Sequence, residues 1–284
     1  MTHEHTIQND MVHNDMVRGD MARDGVPRAD LPVQRLPRPE PRWLRALWSV
    51  WNLPQLAFTL LWTAGLIPIA LALRVARGPT LPLRMASRVW APGLLYGAGV
   101  RFTVEGADAI DWSKPYLIVA NHQSVIDICA LFRAVPVPLR FLLKREMTRV
   151  PFVGRYAKST GMLFIDRDNR RAGPRMLRDA AAMLRDGNCL CVFPEGTRSR
   201  DGRVAAFKGG PFQAAIDAGV DVLPVAITGA GAVLPASGLF RVRPGRIAVR
   251  FGTPQSTAGA GRQALAHGAH AAVISLLIDP TAER

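Results

Sequence analysis

Cysteine is scarce in this 284-residue sequence, and its three cysteines do not have the setting of a disulfide framework. Cys189 and Cys191 flank one leucine in a short apolar run, so both thiols are expected on the same face of a strand. Cys129 lies in a second apolar stretch. All three are therefore predicted to be core residues in a reducing compartment rather than disulfide partners or metal ligands.

Aromatic residues and lysines are also few. Aromatics make up 7% of the sequence, and the only lysines are Lys114, Lys144, Lys158 and Lys208. A net charge of +14 would suit a nucleic-acid-binding protein, but the sequence has no nucleic-acid motif and few aromatics for stacking bases. We therefore expect no nucleic-acid partner, and we expect the arginine-rich chain to meet acidic substrates and an anionic membrane surface.

Apolar segments are missing from the N-terminal part of the chain. Residues 1–42 are polar, poor in aromatics and end in a proline-rich stretch. Such a composition cannot bury enough apolar surface to order a chain, so residues 1–42 are predicted to form a disordered polar tail. No apolar core follows the first methionine, so a secretory signal peptide is not expected.

A long uncharged run follows the tail. Leu53–Leu73 contains no charged residue and is long enough to cross a bilayer. Pro54 and Pro68 are expected to interrupt a single straight helix. One spanning helix and a helical hairpin dipped into one leaflet both fit, so residues 43–98 are predicted to form a membrane-anchoring helical segment. Tryptophans crowd its first half, as at a membrane–water boundary; they are Trp43, Trp48, Trp51 and Trp62.

Arginines flank this uncharged run on both sides. Basic residues on both flanks favour an anchor that enters and leaves the membrane on the cytoplasmic side. The predicted location is therefore the inner, cytoplasmic membrane, with the functional site facing the cytoplasm.

From residue 99 onward, short apolar runs alternate with helical patterns. The predicted strands are Val100–Val104, Tyr116–Ala120, Leu139–Leu143, Met162–Asp166, Cys189–Phe193, Val222–Ile227 and Ile247–Phe251. Helices are predicted between several of them, notably at Pro174–Arg185 and Pro211–Ala218. This alternation predicts an α/β domain over residues 99–284, with a mostly parallel or mixed central sheet flanked by helices.

A polar segment connects the second predicted strand to a predicted helix at Val125–Arg133, with Ser124 as its N-cap. On a regular helix His122 and Asp127 would be about 500° apart in rotation, so they can meet only if His122 precedes the helix. Asp127 would then reach back from the first turn to orient the imidazole. The same spacing also fits a capping box, in which Asp127 accepts only backbone N–H groups.

Three predicted strands run directly into charged residues. Lys144 follows the third strand, Arg167 follows the fourth, and Glu-Gly-Thr-Arg at 195–198 follows the fifth. The carboxyl ends of parallel strands meet at one edge of a sheet, so these residues are expected beside His122. Guanidinium groups and the N–H groups of a glycine-rich helix start suit phosphate oxygens. The sequence thus predicts an anion pocket next to a candidate base.

Four segments resemble, in order, sequence blocks of the glycerolipid acyltransferases. These blocks are Asn121–Asp127, with its His-x-x-x-x-Asp pattern, then Met162–Arg167, Phe193–Arg198 and Val222–Ala226, and Lys144-Arg-Glu146 matches a Lys-x-Glu element. The chain most resembles the 1-acyl-sn-glycerol-3-phosphate acyltransferases, which use acyl thioesters to make phosphatidic acid in phospholipid biosynthesis. Four ordered blocks are much more specific than one, and they favour a catalytic Asp127 over a purely capping one.

The resemblance implies that His122 is a general base acting on the acceptor hydroxyl, with Asp127 fixing its tautomer. The chain contains no Gly-x-Ser-x-Gly elbow, so the acceptor's own hydroxyl is the expected nucleophile. The family assigns acceptor-phosphate binding to the second and third blocks, here Arg167, Glu195, Gly196, Thr197 and Arg198. Glu195 is expected to position Arg198 or the Gly196 turn rather than to touch phosphate.

The resemblance also implies the reactants. The acceptor is expected to be lysophosphatidic acid, and the donor acyl-CoA or acyl-carrier protein, without a further cofactor. Lys144 is expected to bind the phosphate or the oxyanion. No metal is expected, since His267 and His270 have no third ligand and are interpreted as surface residues. Another lyso-lipid, such as a lysophospholipid or lyso-ornithine lipid, is an alternative acceptor; a hydrolase is disfavoured by the arginines.

Overall fold

The computed structural model describes residues 41–166, 173–236 and 240–278. The predicted disordered tail lies outside these ranges except for its last two residues. Arg167, one of the predicted phosphate ligands, also lies outside the described residues.

Within the described residues, seven strands form one sheet. They are β1 (Val100–Glu105), β2 (Leu117–Ala120), β3 (Leu139–Lys144), β4 (Leu163–Ile165), β5 (Cys189–Val192), β6 (Val222–Thr228) and β7 (Gly245–Phe251). Their order is β1-β7-β6-β2-β5-β3-β4, and all neighbours are parallel except β6 and β7. Every predicted strand is present with small shifts of its ends, so the predicted mixed α/β fold is confirmed.

Helices cover both faces of the sheet. The α-helices are α1 (Arg42–Trp51), α2 (Leu53–Arg77), α3 (Thr80–Met85), α4 (Ala91–Gly97), α5 (Ile126–Ala134), α6 (Val153–Ser159), α7 (Gly173–Arg185), α8 (Gly210–Ala218), α9 (Ala230–Val233) and α10 (Arg262–Ile278). A π-helical turn at Ala86–Trp90 joins α3 to α4, and 3₁₀ turns occur at Ala107–Ala109 and Arg145–Arg149.

The sheet separates two apolar cores, and β2 shows how they are formed. Side chains alternate between the faces of a strand, so Ile118 packs into one core and Leu117 and Val119 into the other. We call the first side, which is covered by helices α3 to α6, the α5 face. The second side is covered by α7, α8 and α10, and we call it the α8 face. A strand buried on both faces is apolar throughout, which explains its sequence.

The three cysteines are free and buried, as predicted. Burial raises the pKa of the Cys129 thiol to about 12 and that of Cys191 well above its usual value. Both thiols are therefore neutral at physiological pH, which fits packing rather than nucleophilic or ligand chemistry.

The apolar run forms one continuous helix. Helix α2 contains 25 residues and is long and apolar enough to cross a membrane. Pro54 lies in its first turn, where no N–H partner is lost, and Pro68 lies inside the helix without ending it. The expected interruption at Pro68, and with it a hairpin within this run, is therefore wrong. In the most apolar part of α2, only 11% of the residues are buried.

Both ends of α2 are attached to the α/β domain. Buried Asn52, the residue that precedes α2, accepts the N–H of Val242 through Oδ1 at 3.0 Å. In the last turn of the helix, Arg74 Nε donates to the carbonyl of Ser159 at 2.6 Å. Because the same domain holds both ends, α2 lies along that domain. Its two ends cannot face opposite sides of a bilayer unless these contacts break.

We therefore expect both ends of α2 to be accessible from one side of a membrane. Single cysteines at Arg42→Cys and Arg77→Cys should react with an impermeant maleimide from the same side of sealed, oriented vesicles. The native cysteines are buried, so the unmodified protein gives the background. Labelling of the two positions from opposite sides would show a true span and contradict the contacts at Asn52 and Arg74.

Candidate active site

The site begins where β2 ends, at the carboxyl edge of the sheet. Asn121 is buried, and its side chain makes two hydrogen bonds to the backbone of Ile227 on the neighbouring strand β6. Its Nδ2 donates to the carbonyl oxygen at 2.9 Å, and its Oδ1 accepts the N–H at 2.8 Å. This pair of bonds fixes the end of β2 and so fixes the start of the segment that carries His122.

His122 and Asp127 are in contact. The Nδ1 atom of His122 lies 2.8 Å from Oδ2 of Asp127, which is fully buried, while the His122 side chain is 17% exposed. A carboxylate needs a donor, so Nδ1 carries the proton and Nε2 keeps a lone pair for a substrate. The same Oδ2 accepts the N–H groups of Gln123 and Ser124, each at 2.8 Å. Asp127 therefore orients the imidazole and also fixes the backbone, so the alternative in which it accepts only backbone N–H groups is wrong.

The helix that follows begins one residue later than predicted. Helix α5 starts at Ile126 with Val125 in the N-cap position, so Ser124 as N-cap is wrong. The Ser124 hydroxyl accepts the N–H of Ile126 at 3.3 Å and donates to the carbonyl of Leu234 at 2.6 Å. The Ser124 side chain therefore mainly connects this turn to the residue that follows α9.

An aromatic ring fixes the plane of the imidazole. Phe193, the first residue after β5, stacks on His122 with 3.9 Å between ring centroids and 13° between planes. Asp127 holds one edge of the imidazole and Phe193 covers one face. Sequence reasoning did not assign Phe193 to the site. The available signal was an aromatic residue at the end of a strand next to β2.

Glu195 holds the backbone of His122. Its Oε1 accepts the His122 N–H at 2.7 Å, and its Oε2 accepts the Ala205 N–H at 2.9 Å. The Ser199 N–H in turn donates to the His122 carbonyl at 2.7 Å. The expectation that Glu195 positions Arg198 or the Gly196 turn is therefore wrong, because both carboxylate oxygens are used elsewhere. Glu195 is 4% exposed, and burial raises its pKa to about 7.

The other predicted ligands are spread along the same edge. Gly196 has φ +79°, a left-handed conformation that favours glycine, and the end of the Lys208 side chain lies over it. Thr197 is exposed, and Arg198 is half-buried. Lys144 ends β3 and pairs with Glu146 at 3.0 Å. Among the residues that the structure describes, no hydrogen bond joins Arg198 or Lys144 to His122.

An apolar cavity of about 510 Å³ lies on the α5 face. Its walls include Thr63 and Ile67 of α2, Cys129 and Phe132 of α5, and Phe141 of β3. Arg198 is the charged side chain among the described residues that line it. The volume falls in the range of small-molecule and cofactor sites. Sequence reasoning missed the cavity because its walls come from segments that are far apart in the chain.

The two C-terminal histidines do not share an environment. His267 is exposed, but His270 is 5% exposed, and its Nε2 lies 3.4 Å from the carbonyl of Val204. The expectation that both are surface residues is therefore wrong for His270. The described ranges contain no group of three or more histidine, cysteine or acidic residues that could hold a metal ion.

Comparison with known proteins identifies the family of this chain. The acyltransferase family model matches residues 101–228, which contain all four blocks. The mouse 1-acyl-sn-glycerol-3-phosphate acyltransferase alpha is 30% identical over 208 residues, or 72% of each chain. This chain belongs to the 1-acyl-sn-glycerol-3-phosphate acyltransferase family. The members of this family are transferases, so the prediction that this protein is an acyltransferase is confirmed.

Two further relatives extend the comparison of this acyltransferase. A Chlamydomonas reinhardtii 1-acyl-sn-glycerol-3-phosphate acyltransferase is 38% identical over 136 residues, which are 48% of this chain and 41% of that protein. The chain thus matches less than half the length of this algal relative. The crystal structure of the 1-acyl-sn-glycerophosphate acyltransferase from Thermotoga maritima superposes with a TM-score of 0.71 at 25% identity, covering 86% of this chain and 99% of that one.

The buried Glu195 predicts a pH-dependent stability. Its pKa is about 7 in the folded acyltransferase against an ordinary 4.5, so the folded state binds the proton more tightly. The resulting stabilisation is complete below pH 4.5 and is lost as the pH rises through 7. It amounts to about 3 kcal/mol. The free energy of unfolding of Glu195→Gln, measured with denaturant at about pH 5 and about pH 8, should not show this loss of stability.

The exposed carboxylate of Glu146 provides the control, because Glu146→Gln should keep the wild-type pH dependence. If Glu195→Gln and wild type lost the same free energy of unfolding over this range, the assignment of the titration to Glu195 would be wrong.

Proposed function

We propose that this protein transfers an acyl group from an acyl thioester to the free hydroxyl of 1-acyl-sn-glycerol-3-phosphate, which yields phosphatidic acid. The observation that carries the proposal is the 2.8 Å pair of His122 Nδ1 and Asp127 Oδ2 at a sheet edge, next to an apolar cavity lined by Arg198. Family membership supports acyl transfer as the reaction. The mouse and Thermotoga relatives are named for the same lipid acceptor.

His122 is the proposed general base. Its Nε2 takes the proton of the acceptor hydroxyl while the hydroxyl oxygen attacks the thioester carbonyl carbon. The tetrahedral oxyanion then collapses, the C–S bond breaks, and the leaving thiolate takes the proton from the imidazolium. One O–H and one C–S bond are exchanged for one ester C–O and one S–H bond. The buried Asp127 carboxylate stabilises the imidazolium between these steps.

The cavity supports a lipid acceptor. Its walls suit the acyl chain of lysophosphatidate, and Arg198 offers the lipid phosphate a charge-assisted hydrogen bond at the cavity wall. A charged guanidinium in an apolar wall is stabilised when an anion binds to it. The position of Arg198 is therefore better explained by an anionic ligand than by packing. Arg167 is proposed for the same phosphate on the sequence resemblance alone, and Lys144 for the phosphate or the oxyanion.

The anchor supports a membrane location. Helices α1 and α2 expose large apolar side chains, including Trp43, Leu61 and Val75, which are 68%, 73% and 89% exposed. We assign this surface to lipid contact at the cytoplasmic side of the inner membrane. Because α2 also lines the cavity, a lipid acceptor would reach the cavity from the membrane. The proposed donor is acyl-CoA or acyl-carrier protein.

Loss of the base should abolish turnover. His122→Ala is expected to lower kcat by about 10²–10⁴-fold, the usual contribution of a general base, while the fold survives because Asp127 Oδ2 keeps its two backbone N–H donors. Asp127→Asn keeps an oxygen that can accept the N–H groups of Gln123 and Ser124 but loses the charge that stabilises an imidazolium. It should therefore lose most of its turnover with a Tm close to wild type. Either variant within about tenfold of wild-type kcat would contradict the mechanism.

Arg198 should determine affinity for the acceptor phosphate. Phosphate contacts are made in the ground and transition states alike, so Arg198→Ala should raise the KM for lysophosphatidate first, by about ten- to a hundredfold. Arg198→Lys should rescue poorly, since an ammonium cannot form two parallel bonds. The exposed neighbour Arg200 provides the matched control, and Arg200→Ala should leave this KM unchanged.

A panel of radiolabelled acyl-transfer assays completes this test. Wild type should prefer lysophosphatidate to a lyso-ornithine lipid, which has no phosphate, and Arg198→Ala should reduce that preference. A rise in the KM for the thioester, with the acceptor KM unchanged, would instead assign Arg198 to the donor.

A further inference from the structure

A row of aromatic rings connects the wall of the cavity to the proposed base. Phe132 and Phe141 line the cavity, and their ring centroids are 5.0 Å apart. Phe141 in turn stacks on Phe193, with 6.4 Å between centroids and 24° between planes. Phe193 stacks on His122 at 3.9 Å and 13°. The distances between the phenylalanines are those of attractive aromatic pairs, so ring contacts run without a break from the cavity to the imidazole.

The register of the sheet builds this row. Strand β5 lies between β2, which His122 follows, and β3, which carries Phe141. Phe141 is the neighbour of Cys191 on β5, and Phe193 comes two residues after Cys191, so both rings lie on the α5 face. Phe132 reaches the same core from helix α5. The four rings thus come from four segments that only the tertiary structure brings together.

Phe193 supplies a constraint that Asp127 does not. A hydrogen bond keeps most of its strength over a range of angles, so the contact of His122 with Asp127 permits the imidazole to tilt. A ring stacked on one face of the imidazole limits this tilt. The tilt decides where Nε2 points, and small errors in the geometry of reacting groups cost large factors in rate. Phe193 is therefore placed to act on the reaction through His122, as a positioning residue.

The position of Phe193 depends on the rings behind it. Phe193 is half-buried, whereas Phe132 and Phe141 are buried in the core and line the cavity. A side chain that faces a cavity lacks partner atoms on that side and loses part of its dispersion attraction. An acyl chain in the cavity would supply those contacts. It would thereby hold Phe141 against Phe193, and Phe193 against the imidazole.

We propose that an acyl chain bound in the cavity positions the imidazole of His122 through Phe141 and Phe193. This inference rests on the proposed function, in which the chain belongs to a substrate. The lipid acceptor and the thioester donor both carry an acyl chain, so the chemistry at the cavity is the same for either source. Part of the binding energy of a chain far from the reacting atoms then appears in kcat rather than in KM.

The test compares substrates that differ only in the length of this chain. The full-length protein is assayed with long-chain and short-chain lysophosphatidate and one saturating donor. Wild type should have about a tenfold higher kcat with the long chain, in addition to a lower KM. Phe193→Leu should lower the kcat of the long-chain acceptor to about the short-chain value and leave the short-chain kcat nearly unchanged. The difference in KM should remain, because Phe193 is not among the described residues that line the cavity.

Two further variants test the route through the rings. Phe193→Tyr keeps a ring on the imidazole and should keep the wild-type dependence of kcat on chain length. Phe141→Leu should weaken this dependence, and the double variant with Phe193→Leu should weaken it no further than Phe193→Leu alone, because both changes remove one connection. A purely structural role of Phe193 would lower kcat by the same factor for both chains, and this result would overturn the inference.

Phe251 supplies the matched control. It is buried in the same core and pairs with Trp112 at 5.4 Å between centroids, but it is not among the described residues that line the cavity. Phe251→Leu should keep the wild-type dependence of kcat on chain length. If Phe193→Leu does not fold, Phe193→Met takes its place, since methionine is similar to leucine in volume and also has no ring.

A second series identifies which substrate supplies the chain. Long-chain and short-chain thioester donors are assayed with one acceptor. A kcat that depends on the donor chain alone, and loses this dependence in Phe193→Leu, supports the inference and assigns the cavity to the donor. A wild-type kcat that is independent of both chains overturns the inference while acyl transfer itself continues. A wild type that transfers no acyl group to any lysophosphatidate refutes the proposed function instead.

Discussion

The buried carboxylate of Asp127 is the constraint on which the site depends. An ionised carboxylate is costly to bury without donors, and here Oδ2 accepts three, Nδ1 of His122 and the N–H groups of Gln123 and Ser124, while Oδ1 has no partner among the described residues. These bonds fold the segment between β2 and α5 into one conformation and orient the imidazole in the same step. The charge that would stabilise an imidazolium is thus also the charge that holds the turn, so the proposed catalytic geometry is part of the fold.

A second segment, more than seventy residues later, completes this arrangement. Because β5 is hydrogen-bonded to β2, the residues after β5 lie against those after β2. Glu195 and Ser199 then bind the N–H and the carbonyl of His122, and Phe193 stacks on its ring. The proposed base is held by its edge, one face and both backbone polar groups, which leaves Nε2 for the proposed substrate. Such preorganisation reduces the reorganisation needed during the reaction.

Helix α2, the proposed membrane anchor, is part of the structure that surrounds the site. Helix α2 exposes apolar side chains, yet it is attached to the α/β domain at both ends and lines the cavity beside α5. One element therefore carries the apolar surface proposed for lipid contact and shapes the space proposed for a lipid acceptor.

The sequence alone determined the α/β sheet, since strand apolarity and helix periodicity are local properties. It also predicted the contact of His122 with Asp127. The two residues are five positions apart across one strand-to-helix turn, and few conformations of such a turn bring the two side chains together. Only the tertiary structure decided what Glu195 binds, that His270 is buried and that Pro68 lies inside a continuous helix. The cavity belongs to the same group. Each depends on packing between segments far apart in the chain, and local sequence patterns carry no information about which distant segment lies opposite.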